Sequence, residues 1–217
     1  DLIVMVHALE HIPRPIEFLN TLKSLLTPCG LLLIEVPNLE TSPFDILIAD
    51  HCTHFSESLL PWVVESAGFQ VITLSSRCVA KELSLLAGVN SQHSEYNRVP
   101  KSARHDGSRA KQHLSWLHQL LVQARGIEGD VGIFGSSISG TWLANSLDGR
   151  VKFFVDEDSN RIGNKHLGLP IYSLADASVT LPILMPIRRD IALAIQSRVG
   201  PTTNLIPPPQ NLSEQQP

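Results

Sequence analysis

Apolar residues in this chain fall into short blocks, and the blocks alternate between two periods. The first, Leu2 to Val6, is continuous and lies between Asp1 and His7. It reads as a strand buried on both faces, the kind found in parallel sheets covered by helices. Ile16, Phe18, Leu19, Leu22, Leu25 and Leu26 then recur at helical spacing. Pro13 and Pro15 preset that helix, and Pro28 to Gly30 end it. Leu31 to Val36 is a second apolar run, interrupted by Glu35 and closed by Pro37-Asn38. Strand, helix and strand in this order predict a βαβ unit with a right-handed crossover.

Ser56 suits the cap of a helix whose apolar face is Leu59, Leu60, Val63, Val64 and Ala67, ended by Gly68. Phe69 to Leu74 reads as a third strand. Glu82 to Val89 reads as a fourth, although Leu85-Leu86-Ala87 also suits a helix. Residues 90–107 are polar and without period, which marks a linker. A helix is expected over 108–124, with Leu114, Leu117, Leu120 and Leu121 on one face. A second unit follows: a strand over 130–134, a glycine-bounded loop over 135–140, a helix over 141–147 and a strand over 151–155. Gly163, Gly168 and Pro170 mark loops, 181–185 a strand and 190–199 a helix. The proline-rich and polar tail, 201–217, is expected to be disordered. The pattern predicts an α/β chain of two domains, residues 1–89 and 108–200, each built on βαβ units. The opening strand has no earlier segment to pair with, so the chain is expected to begin inside a longer fold.

Composition changes this picture little. A hydrophobic content of 43% and a charged content of 18% are ordinary for a globular protein. The net charge of -4 gives no electrostatic reason to expect nucleic acid or an anionic membrane as partner. Cys29, Cys52 and Cys78 are odd in number and lack CxxC spacing, so they suit reduced thiols in a cytoplasmic protein. No secretory leader is recognisable, and no apolar run reaches 18 residues. Oligomeric state is not readable.

Three groups of residues carry candidate chemistry. Asp50, His51 and His54 lie close together, and histidine suits a general base because its ordinary pKa is near neutral. Asp50 is the candidate to orient the ring or hold charge; the alternative is that all three only hydrogen-bond a loop. With no strong partner visible for a third or fourth ligand, no metal is expected. His7, Glu10 and His11 follow the first strand, where the carboxyl end of a parallel strand faces a ligand crevice. Glu35 and Asn38 are weaker candidates for acceptor contacts. Third, Gly135 to Gly140 sits between a strand and a helix, where backbone N–H groups and the helix dipole favour an anion. Ser137 replaces the second glycine of G-x-G-x-x-G, so a Rossmann-like domain without cofactor is the favoured reading, with Asp156 where a ribose hydroxyl would be met.

The first half resembles the carboxyl-terminal part of class I S-adenosylmethionine-dependent methyltransferases. The resemblance lies in His7-Ala-Leu-Glu-His-Ile-Pro13, in Leu25-Leu-Thr-Pro-Cys-Gly30 with the strand after it, and in Ser66-Ala-Gly-Phe69. Ile48-Ala-Asp-His-Cys-Thr-His-Phe-Ser56 is similar to the histidine loop of sugar C-methyltransferases. There Ile48 stands where tyrosine is common and Asp50 where glutamate is usual. Residues 132–156 are similar to the extra Rossmann-like domain of those enzymes. The resemblance implies a partial methyltransferase sheet followed by a second small Rossmann-like domain. It further implies methyl transfer from S-adenosylmethionine to a small polar acceptor, foremost the carbon of a nucleotide-linked keto sugar. His51 and Asp50 would be catalytic, His7 and Ala8 would meet the donor, and Glu10, His11, Glu35, Asn38 and His54 would meet the acceptor. An O- or N-methyltransferase and a non-catalytic nucleotide-binding or assembly module are the alternatives. In that family the glycine-rich donor loop precedes the stretch matched here, so these 217 residues alone are expected to be inactive and to bind the donor poorly.

Overall fold

The computed structural model describes residues 1–89, 103–176, 180–200 and 204–210. The chain is mixed α/β and divides into two compact units, Asp1–Lys111 and Gln112–Pro217.

In the first unit β1 (Leu2–Val6), α1 (Pro15–Lys23) and β2 (Leu31–Pro37) form the expected βαβ, with β1 parallel to β2. A helix α2 (Leu59–Ser66) leads to β3 (Phe69–Ser75) and then β4 (Glu82–Val89). The sheet order is β1-β2-β4-β3, with β4 antiparallel to both neighbours. Alternation decides the doubtful β4 segment: Leu83, Leu85 and Ala87 all point into the core, a period of two that no helix gives. Met5, Leu32, Ile34 and Val36 share that face, and Leu19 of α1 and Leu60, Val63 and Val64 of α2 cover it.

The other face corrects one expectation. Leu2, Val4 and Val6 are each about half exposed, so β1 is buried on one face only. The reason is coverage: α1 and α2 both pack on the Met5 side. α1 also stops at Lys23 rather than Leu26. Leu25 N–H and Leu26 N–H donate three residues back, to Leu22 and Lys23, which tightens the chain into turns and leaves Leu25 exposed. The hydroxyl of Ser56 accepts the Leu59 N–H at 3.0 Å, although the residue flanking α2 is Ser58. Gly68, at φ +81°, ends α2 in a conformation that favours glycine.

α3 (Ala103–Gly126) begins five residues before the expected 108, and the division between units falls inside it. The rest of the expected linker, 90–102, lies outside the described residues. The second unit contains β5 (Val131–Phe134), α4 (Ile138–Asn145), β6 (Val151–Val155), β7 (Lys165–His166), β8 (Leu169–Tyr172), β9 (Ile183–Leu184), α5 (Arg189–Val199) and β10 (Leu205–Ile206). The order is β10-β9-β5-β6-β8-β7, and every pair is parallel except β7 with β8. Three details depart from expectation. α4 starts inside the glycine-bounded loop. A short hairpin, β7–β8, occupies the region read as loops.

The third is in the tail. Residues 204–210 are ordered: β10 pairs with β9, Leu205 is buried, and the carbonyls of Pro207, Pro208 and Pro209 accept from Gln123, Arg189 and Trp116. Residues 201–203 and 211–217 of the expected disordered tail lie outside the described residues. Composition missed this because prolines that donate nothing still accept through their carbonyls. No helix among the described residues is long and apolar enough to cross a membrane, and the three cysteines are exposed and unpaired.

Candidate active site

β1 ends at His7, whose N–H donates to the Glu35 carbonyl at 2.9 Å and whose backbone sits at φ +47°. A left-handed conformation is uncommon outside glycine and turns the chain sharply off the strand. The next residues, Leu9 to His11, form one 3-10 turn that drives Leu9 and Glu10 inward. The segment after β2 folds back over this turn. Cys52 N–H and Thr53 N–H both donate to the Glu10 carbonyl, at 2.7 and 3.2 Å. Leu39 N–H donates to Phe55 O, and a parallel bridge joins Asn38 to Phe55, which clamps the base of the loop.

Inside the loop the organising residue is Asp45, on a 3-10 turn over Asp45–Leu47. Its side chain is 3% exposed and holds two histidines. Its Oδ1 lies 2.7 Å from His51 Nδ1, and its Oδ2 lies 2.6 Å from His54 Nδ1. His51 is nearly buried, at 6%, while His54 is 28% exposed. The rings of His11 and His51 meet edge to face, with centroids 4.7 Å apart. Asp50 is not the partner of His51. It is largely solvent-exposed and lies 3.1 Å from His11 Nδ1, because adjacent residues in the loop point apart.

The floor next to this cluster is acidic. Glu10 is buried, and neither carboxylate oxygen has a hydrogen-bond partner among the described residues; His7 Nδ1 stands 3.3 Å from one of them. Glu82 lies 3.9 Å from the other nitrogen of His7. Burial pushes the Glu82 carboxyl above its ordinary pKa. Repulsion from Glu35, Glu10 and Asp45 adds to this, and His7 opposes it. Glu35 projects from the sheet face opposite the main core and takes a bond from the Ser84 hydroxyl at 3.4 Å.

Of the residues singled out in the sequence, His7, Glu10, His11, Asp50, His51 and His54 thus come together around one turn and one loop. Ala8, half-buried, lies between His7 and the turn. Asn38 is spent on the loop itself: it is buried and its Oδ1 accepts the Glu40 N–H at 3.0 Å. Asp45 and Glu82 were missed. A signal for Asp45 existed, since it is the one acid in the apolar stretch from Pro43 to Ile48.

Two groups of the site's side chains bring ligand-type atoms close together. Glu10, His11 and His51 form one set, and Asp45, His51 and His54 another, with donor atoms within 4.8 Å of one another in each. Both sets depend on His51. A groove of about 380 Å³ over Ile12, Pro13, Arg14, Glu17, Phe18 and Thr21 adjoins the turn in sequence but is lined by none of the histidines.

In the second unit the loop after β5 is occupied by the protein's own carboxylate. Asp156 Oδ2 accepts from Ser136 N–H at 2.9 Å and from the Ser136 hydroxyl at 2.5 Å, while Oδ1 accepts from the N–H groups of Glu157 and Asp158. Burial raises the Asp156 pKa. The Ser136 bonds, the Asp158 N–H and Arg161 outweigh that and leave it below its ordinary value. A Cβ on Gly140 would lie 2.0 Å from the Gly135 carbonyl oxygen, so glycine there lets α4 pack closely onto the loop.

No curated protein matches the chain. Residues 1–74, about a third of the chain, match a family described as a methyltransferase domain.

Proposed function

We propose that the first unit is the acceptor-facing part of an enzyme that methylates the carbon of a nucleotide-linked keto sugar, with His51 as the base. The family match supports methyl transfer in general, and such enzymes use S-adenosylmethionine as donor. The observation that carries the finer reading is the environment of His51. It is a nearly buried imidazole held at Nδ1 by a buried carboxylate, in a loop docked on the turn that ends β1.

The residues present fit a cationic donor. Glu10, expected from the resemblance to meet the acceptor, instead suits the donor: its buried carboxylate has His7 at 3.3 Å but no hydrogen-bond partner among the described residues, and a positively charged ligand group would complement it. His7 and Ala8, at the strand end, would hold the donor, which supplies an electrophilic methyl carbon on sulfur. On this reading His51 Nε2 removes the proton next to the acceptor's carbonyl. With a donor held there, the freed electron pair would bond its methyl carbon while the methyl–sulfur pair stayed with sulfur. The His51 imidazolium so formed is compensated by Asp45 at 2.7 Å and then releases its proton to solvent. His11, Glu35 and His54 are assigned to the acceptor, and Asp50, 3.1 Å from His11, would reach it through that ring.

His51→Gln in the intact protein is expected to lower kcat by about 100-fold or more, the usual contribution of a placed base, with donor affinity nearly unchanged. Turnover on a panel of nucleotide sugars, read as a mass gain of one methyl group, checks it. Undiminished turnover by the variant would move the reading to O- or N-methylation.

A further inference from the structure

Asp45 is the one acid in the site that contacts two histidines through different oxygens. An ionised carboxylate only accepts, so each ring nitrogen facing it must carry the hydrogen. A neutral imidazole has one N–H. With Nδ1 so committed, the lone pair on each ring lies at Nε2.

We infer that Asp45 is a positioning residue that sorts His51 and His54 into the same Nδ1–H tautomer, presenting two Nε2 acceptors to one substrate. The acceptor class follows: a carbon acid that also carries a hydroxyl or N–H donor, one group for each ring. His51 takes the proton from carbon and His54 accepts a hydrogen bond from the neighbouring polar group. This rests on the reading of His51 as base and deepens it. Their exposures agree with that division of labour, since the buried ring does the chemistry and the more open ring meets a polar group. Other charged groups face the pair as well. His11 meets His51 edge to face, Asp50 binds His11, and Glu10 lies within 4.8 Å of the His11 and His51 donor atoms. Glu82 feels the Asp45 charge. None of these supplies a second acceptor at Nδ1 of His51 or His54 among the described hydrogen bonds, so the tautomer depends on Asp45.

Nitrogen-15 correlation spectra of the histidine rings decide it, recorded on the intact protein at alkaline pH where imidazoles are neutral. Both His51 and His54 are expected to show a protonated Nδ1 and a bare Nε2. Asp45→Asn offers one acceptor and one donor, so one ring should switch to the Nε2–H form, and kcat should fall at least 10-fold with the donor KM unchanged. Either ring in the Nε2–H form in the wild type, or unchanged ring spectra in Asp45→Asn, overturns the inference. Should Asp45→Asn fail to fold, the wild-type spectrum alone still decides. The two readings fail separately: full activity in His51→Gln would remove the base and leave the tautomer assignment standing. Addition of zinc ion provides one more outcome. Displacement of both Nε2 signals at stoichiometric zinc would make these nitrogens metal ligands and overturn the acceptor role.

Discussion

Glu82 shows how a single buried side chain beside the site can cost the fold stability. Its carboxyl pKa is raised, chiefly by burial, so the folded state holds a proton that the unfolded chain releases near the ordinary glutamate value of about 4.3. Between that value and the raised one, stability falls as pH rises, and above it the full cost remains. Glu82→Gln is therefore expected to raise the melting temperature at neutral pH, with the advantage vanishing below about pH 4. Melting curves at two pH values check the sign. At this scale the sequence was partly legible. The histidines and Glu10 were visible because chemistry-bearing residues stood out beside a strand end. The partner of His51 was not, because Asp50 is its neighbour in sequence while Asp45 is its neighbour in space, brought there by a 3-10 turn.

At the scale of elements, periodicity recovered what it physically controls. β2, β3, β4, β6, α2 and α5, each with five or more residues and a covered face, lie where the apolar pattern placed them, while α1, α3 and α4 shift at their ends. A continuous apolar run carries no period, so β1 was read as doubly buried although helices cover only one of its faces. β7 and β10 have two residues each, too few for any repeat, whereas β9 falls within the strand expected over 181–185. The loop after β5 was read from its chemistry rather than from its period. Ser137 at the second glycine position weakens the dinucleotide pattern, and Asp156 fills the anion position with a carboxylate. NAD and NADP are expected to bind weaker than micromolar, and a calorimetric titration showing tighter binding would refute that.

On the scale of the molecule, hydrophobic burial is divided. One cluster centres on Leu32, Leu60 and Leu85 in the first unit; two others, around Leu143 and around Val155, build the second. Leu60→Ala and Leu143→Ala each empty a fully buried site and should cost about 2–5 kcal/mol. Scanning calorimetry is expected to show each substitution lowering the transition of its own unit and leaving the other in place. One transition moving equally for both would show that the units unfold together. The ordered tail has a consequence for synthesis. Its strand is an outer member of a sheet whose central strand, β5, emerged some seventy residues earlier, and three consecutive proline carbonyls hold it against α3 and α5. On the ribosome, the second unit therefore has to wait with the flank of β9 uncovered until the chain has passed Pro209. A chain lacking Leu205 and Ile206 would leave that flank of β9 without its parallel partner, an open strand edge of the kind that pairs with other chains.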